Sequence, residues 1–202
     1  MAPPALIRDF DPSTMLFAPE LKYPDGDHGT PLVRVQCPMI QINDDVNDMS
    51  LSRWGLNAPP ADAKDQKAFT IEPVLTPVAE AKFREIEATL QKTFDEKGRA
   101  WFKKDKTMEF VPILKDTDEG VVARIKVVID GKQVIKTLDG DGNMVDADKD
   151  LLNRGCRVLI VGTFKSMWFN EVRGTYGAKF VASRILVKPG TCEIAAEDMF
   201  VL

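Results

Sequence analysis

The sequence predicts a mainly β (α+β) fold: a small antiparallel β-barrel with one substantial helix over about 76–97. Three observations lead there. Short β-branched or alternating runs recur along the 202 residues. Only the segment after Thr76-Pro77 has clear helical periodicity. The 44% hydrophobic content supplies one sizeable core. The organisation that follows is an extended Pro-rich lead-in (1–30), the β domain (31–190) and an acidic C-terminal tail (191–202).

The lead-in contains Pro3, Pro4, Pro12, Pro19 and Pro24, which favour extended or mobile chain. Leu32–Gln36 alternates apolar and polar residues and reads as a first strand. Asn43–Ser50 is an acidic loop, and Ala58–Gln66 is a second loop. Lys67–Leu75 reads as a strand that Pro73 confines to an edge or ends early. Thr76 then caps a helix with Pro77 at its first position. Phe83, Ile86, Leu90 and Phe94 form its apolar stripe, and Gly98 is expected to end it. Trp101–Leu114 is expected to be partly extended.

Val121–Ile129 is a strand whose odd positions are all apolar, so Arg124 and Lys126 point outward. Asp130-Gly131 signals a hairpin, with Gln133–Leu138 returning. An Asp/Gly loop and a short helical piece (146–153) lead to three more predicted strands, Arg157–Phe164, Ser166–Val172 and Lys179–Val187. The turn before the last is read as Arg173–Gly177.

The net charge is −4 and the pI about 5.2, but the distribution is uneven. Residues 1–98 carry 10 basic and 16 acidic side chains. Residues 99–190 carry 17 and 12, and the last twelve residues carry three acids and no base. Arg154, Arg157, Lys165, Arg173, Lys179, Arg184 and Lys188 face a single acid, Glu171, in the final strands. Phe164, Trp168, Phe169, Tyr176 and Phe180 lie among them. Basic side chains attract phosphates and exposed rings stack on bases, so the block suggests a sheet that binds single-stranded nucleic acid. Trp168, Tyr176 and Phe180 are the expected stacking residues. Tyr176 is placed in a turn, and Phe180 on the face opposite Val181, Ile185 and Val187. Lys165, Arg173, Lys179, Arg184, Arg124, Lys126, Lys103 and Lys104 are the expected phosphate contacts.

Other chemistries find little support. The single histidine, His28, and the absence of P-loop, GxGxxG or HExxH motifs argue against an enzyme. Asp139–Asn143 lacks the EF-hand glycine and glutamate, so it reads as turn chemistry and no metal or other cofactor is expected. Cys37, Cys156 and Cys192 show no metal spacing and fit a reducing, intracellular compartment. No run is long and apolar enough to span a membrane, and Met1–Ser13 lacks the order of a signal peptide.

Five or so strands and one helix match the inventory of an OB-fold, a partly open barrel that often binds single strands. Three segments resemble the OB-fold single-stranded-DNA-binding proteins of bacteriophages and large DNA viruses. They are Leu51–Asn57 (LSRWGLN), Ala100–Lys115 (AWFKKDKTMEFVPILK), and the region from Asp130 to Val187. The resemblance implies sequence-tolerant binding of single-stranded DNA in replication, recombination or repair. It also implies a tail in which Glu197, Asp198 and Phe200 contact replication proteins such as a polymerase. A homo-oligomer is compatible with this reading. The alternative is a protein-interaction or virion structural module on the same barrel.

Overall fold

The computed structural model describes residues 3–24, 30–45, 47–59, 61, 67–103, 105–129 and 134–188. The strands, in chain order, are Ala5–Leu6 (β1), Leu16–Phe17 (β2), Leu32–Gln36 (β3), Ile40–Gln41 (β4), Ser50–Asn57 (β5), Ala68–Pro73 (β6) and Glu109–Phe110 (β7). They continue with Leu114–Thr117 (β8), Gly120–Ala123 (β9), Ile125–Val128 (β10), Ile135–Leu138 (β11), Met144–Asp146 (β12), Arg157–Asn170 (β13) and Thr175–Lys188 (β14). One α-helix among the described residues, Pro77–Phe102 (α1), joins β6 to β7. The predicted inventory, a sheet-rich fold with one substantial helix, is what the chain forms.

β13 and β14 are a single long hairpin. The two strands expected over 157–172 are one strand carrying a bulge. Along its other edge, β14 takes β7, β10 and β11 in succession, all parallel to it. β13 pairs with β3, β4 and β5, and pairings continue from β5 to β6 and from β6 to β10. The β5–β13 seam is thin, with Leu51 opposite Arg157 and Ser50 opposite Val158. β8 and β9 form a separate two-stranded ladder.

Two irregularities decide which side chains face inward. β13 advances from Phe164 to Ser166 while β14 moves only from Phe180 to Lys179, so Lys165 is extra. Likewise β14 spans Ala182 to Arg184 opposite Gly162 and Val161, which makes Ser183 extra. Each extra residue inverts the period-2 alternation beyond it. The inner face therefore collects Val158, Ile160, Phe164, Met167 and Phe169 from β13, with Tyr176, Phe180, Ala182, Ile185 and Val187 from β14.

α1 covers that face. Thr76 Oγ1 accepts from the Ala79 N–H at 3.3 Å, as expected of the cap, and Pro77 opens the helix. Phe83 meets Phe164 and Phe180 edge-on, at centroid distances of 6.4 and 5.9 Å. Phe94 stacks on Tyr176 at 4.1 Å. The buried Glu87 carboxylate accepts from the Ile113 and Leu114 N–H groups at 2.6 and 3.0 Å, tying the helix to β8. Contrary to expectation, the helix does not stop at Gly98. The Phe94 ring lies against that glycine, and a further turn buries Trp101 before Lys103 ends the helix with φ 55°.

Two other expectations are corrected. The described part of the lead-in is packed: Ile7, Phe10 and Met15 are core residues, and Trp101 Nε1 donates to the Ala18 carbonyl at 3.2 Å. Apolar anchors between the prolines outweigh the extended tendency of the prolines themselves. The predicted turn at Asp130-Gly131 falls outside the described residues, and β11 does not return along β10. Both run in the same direction along one edge of β14, β10 at Val181–Ala182 and β11 at Ile185–Leu186.

Gly162 leaves room for the Phe180 ring, since a Cβ there would sit 2.5 Å from Phe180 Cε1. Gly162→Ala is expected to cost about 1–3 kcal/mol by overpacking. Phe180→Ala should cost about 3–5 kcal/mol. Urea unfolding should show the double variant losing less than the sum, because removing the ring relieves part of the clash.

Candidate nucleic-acid interface

α1 takes the inner face, and the outer face of the sheet is open to solvent only in part, since Met49, Leu159 and Leu186 form a small buried cluster on it. Residues paired across neighbouring strands share a face, so the register gives its rows directly. One row runs Lys22, Leu32, Trp168 and Gly177. The next is Arg34, Ser166 and Lys179. Then come Thr163, Val181, Lys126 and Thr70. Val161 with Arg184 follows, then the buried Leu159 and Leu186 packed with Met49, and at the far end Leu51, Arg157 and Lys188. Lys22, Arg34, Lys179, Arg184, Arg157 and Lys188 are exposed, Lys126 is half-buried, and the bulged Lys165 is exposed beside them. The register of the long hairpin and its neighbours has thus brought basic side chains to one face along the β13–β14 axis.

Trp168 stands on this face, half-buried. Its indole lies over Gly177, where a Cβ would fall 2.8 Å from Trp168 Cζ2. The glycine lets the ring lie on the sheet. Beside it, Leu16, Phe17, Arg34, Cys37, Thr163 and Lys165 line an open groove of about 680 Å³ across β2, β3 and β13.

The other two expected stacking residues are corrected. Tyr176 is only 3% exposed and Phe180 only 1%. The actual turn is Glu171–Gly174, so Tyr176 is already in β14, on the inner face. Phe180 faces inward because Ser183 breaks the alternation that had grouped it with Arg184. Lys165, Lys179, Arg184 and Lys126 do come together on the outer face. Arg173 is exposed in the hairpin turn. Arg124 is exposed between β9 and β10, where its guanidinium donates to the Pro112 carbonyl at 3.4 Å. Lys103 caps α1 and is exposed, on a pocket it shares with Leu21 and Tyr23, the two neighbours of Lys22. Lys104, Glu197, Asp198 and Phe200 lie outside the described residues.

Sequence reasoning leaves Lys22 and Arg34 out of the candidate face, and counts Arg157 and Lys188 in the basic block without naming them among the phosphate contacts. Arg34 was legible as the outward residue of an alternating strand. Lys22 was not, because an isolated bridge to Leu32 places it. Trp54, 46% exposed, was also missed.

Burial pushes the Tyr176 hydroxyl up to about 12, with the nearby Asp95 charge acting in the same direction. Burial likewise raises the Cys37 and Cys156 thiols. The Asp139 carboxylate is held below its usual range by backbone N–H donors, chiefly Asn143 at 2.8 Å. That is turn chemistry, as the sequence suggested. Among the described residues no group of three or more His, Cys, Asp or Glu side chains could hold a metal ion.

The class defined so far is a sheet-rich protein with a helix on one face and a basic, partly aromatic face on the other. No family model matches the chain, and no curated protein matches it. Among solved structures, it is similar to the crystal structure of gp2.5, a single-stranded DNA binding protein encoded by bacteriophage T7. The TM-score is 0.49 and the identity 9%, over 81% of this chain and 92% of that one.

A raised tyrosine pKa means the folded state holds its proton more tightly. The associated stability is intact below the unfolded value of ~10 and is lost as pH rises through about 12. Tyr176→Phe should therefore flatten the fall in stability between those pH values, measured by urea unfolding at each pH. An unchanged slope would show that Tyr176 titrates normally.

Proposed function

We propose that this protein is a sequence-tolerant single-stranded-DNA-binding protein that works through its outer sheet face and performs no catalysis. The observation that carries the reading is the alignment of Arg34, Lys165, Lys179, Lys126, Arg184, Arg157 and Lys188 on the face that also displays Trp168. Phosphates would sit on the basic side chains and a base on the indole. Every base has a π-face, so such contacts carry no consensus.

The sheet is proposed to be of OB type. In support, pairings run β5, β6, β10, β14, β13 and return to β5 across the thin seam, as in a partly open five-stranded barrel. The sequence resemblance carries the further proposal of a role in replication, recombination or repair of viral DNA, in an intracellular, reducing setting. A second reading, a protein-docking or virion structural module, is favoured by Leu138, Met144 and Val145, which are exposed on the β11–β12 hairpin.

Oligo(dT) should bind more tightly than duplex, with affinity falling steeply with salt. Trp168→Ala should weaken binding by roughly 1–3 kcal/mol while leaving the thermal melt nearly unchanged. Arg184→Ala should flatten the salt dependence by about one phosphate contact. Equal affinity for duplex, or no salt dependence, would sink the proposal and favour protein docking.

The tail is proposed to compete with DNA for the basic face through Glu193, Glu197 and Asp198. Deleting residues 193–202 should tighten single-strand binding at low salt. The gain should shrink at high salt, where screening acts over ~10 Å or less. A truncated chain that folds and binds no more tightly would remove tail competition.

A further inference from the structure

β5 and β13 run antiparallel, with Leu51 opposite Arg157. Three residues beyond that row lie Trp54, on β5, and Arg154, in the turn that enters β13. They meet: the Arg154 guanidinium sits 4.8 Å from the centroid of the Trp54 ring. The pair therefore stands at the end of the basic stripe opposite Trp168.

The local backbone is built to display the indole. β5 advances from Ser52 to Leu56 while β6 moves only from Pro73 to Ile71, so the residues between them bulge. Gly55 sustains the bulge with φ +71°, and a Cβ there would be 2.4 Å from the Leu152 carbonyl oxygen. Backbone bonds lock the bulge to the chain entering β13. The Leu56 N–H donates to Leu152 O, and the Gly155 N–H to Ser52 O, both at 2.9 Å. Trp54 is left on the rim of an open pocket of about 400 Å³, also lined by Leu56, Phe69, Lys149, Leu152 and Asn153.

We infer that Trp54 and Arg154 form a second nucleobase-binding platform, occupied by the same DNA strand that crosses the basic face. This rests on the single-strand reading above. The occupant follows from charge complementarity and position. A strand laid along Lys179, Arg184 and Arg157 continues past Lys188 onto Arg154, whose guanidinium takes a phosphate while the indole takes the base. The strand therefore runs along the β13–β14 axis, from Trp168 to Trp54. The interval is at most roughly 45 Å at ~3.3 Å per residue. That length asks for a site toward the longer end of the ~4–16 nucleotides typical of one such barrel.

Indole N–H resonances of the intact chain, followed by NMR during titration with oligo(dT) of sixteen nucleotides, test this. The Trp54 signal is assigned by its loss in Trp54→Phe. Binding should shift both the Trp54 and Trp168 signals at one strand per chain. Trp54→Ala should weaken binding of the long oligonucleotide by roughly 5- to 150-fold without lowering the melting temperature by more than a few degrees. Arg154→Gln should weaken it less and flatten the salt dependence. Salt-sensitive binding that leaves the Trp54 signal and the Trp54→Ala affinity unchanged would overturn the second platform and leave the outer-face reading standing. A chain that binds no single strand at all would overturn both.

Discussion

The packing of α1 against the inner face of the β13–β14 hairpin determines which side chains meet solvent. Phe83 packs edge-on against both Phe164 and Phe180, and Phe94 stacks on Tyr176. Such ring pairs add about 0.5–1.5 kcal/mol each beyond their burial. They form only because Lys165 and Ser183 are extra residues that bring the aromatics to one side. Without those two bulges, a regular hairpin would divide the rings between its faces, leaving the helix part of its apolar partner and the outer face far less basic. Core and basic face are thus two results of one register.

The same register accounts for the contrast between global and local charge. The chain is net negative, and several of its acids are committed to ion pairs around the helix, such as Glu80 with Arg84 at 2.8 Å and Glu85 with Lys82 at 2.6 Å. The outer face gathers its cations from β3, β10, β13 and β14, strands far apart in sequence. A polyanion beyond a Debye length meets little attraction, whereas one touching the sheet meets a line of cations. The attraction of this face for a polyanion is therefore short-ranged and greatest for a ligand that conforms to it.

Sequence pattern made much of this legible where one local rule applied. The Thr76-Pro77 cap, the Phe83–Phe94 stripe and the alternation in Leu32–Gln36 all translate directly into the elements observed. It failed where a distant partner decided the outcome. Gly98 ends helices in general, but here the Phe94 ring covers it and Trp101 gains a core site. Tyr176 between two glycines resembles a turn residue until the long β13 strand pairs through it. Phe180 was assigned by strict period two, which holds only up to a bulge, and no local signal marks Ser183 as the extra residue. The basic stripe is half visible in the sequence: its β13–β14 members are evident and the alternation of Leu32–Gln36 turns Arg34 outward, while only strand pairing brings Arg34 and Lys22 alongside them.

The shape of the face bears on the single-strand preference proposed for it. Strands of a sheet twist relative to one another by about 20–25° on average, so the rows of cations turn as they pass from Trp168 toward Arg157. A duplex is stiff over roughly 150 base pairs, and following such a surface would cost deformation energy for few gained contacts. Its bases are also stacked inward, out of reach of an indole lying on the sheet. A single strand bends at little cost and turns its bases outward. The flat seating of Trp168 over Gly177 suits a ligand with a free π-face. Twist, local charge and the lie of that ring all favour the single strand over the duplex.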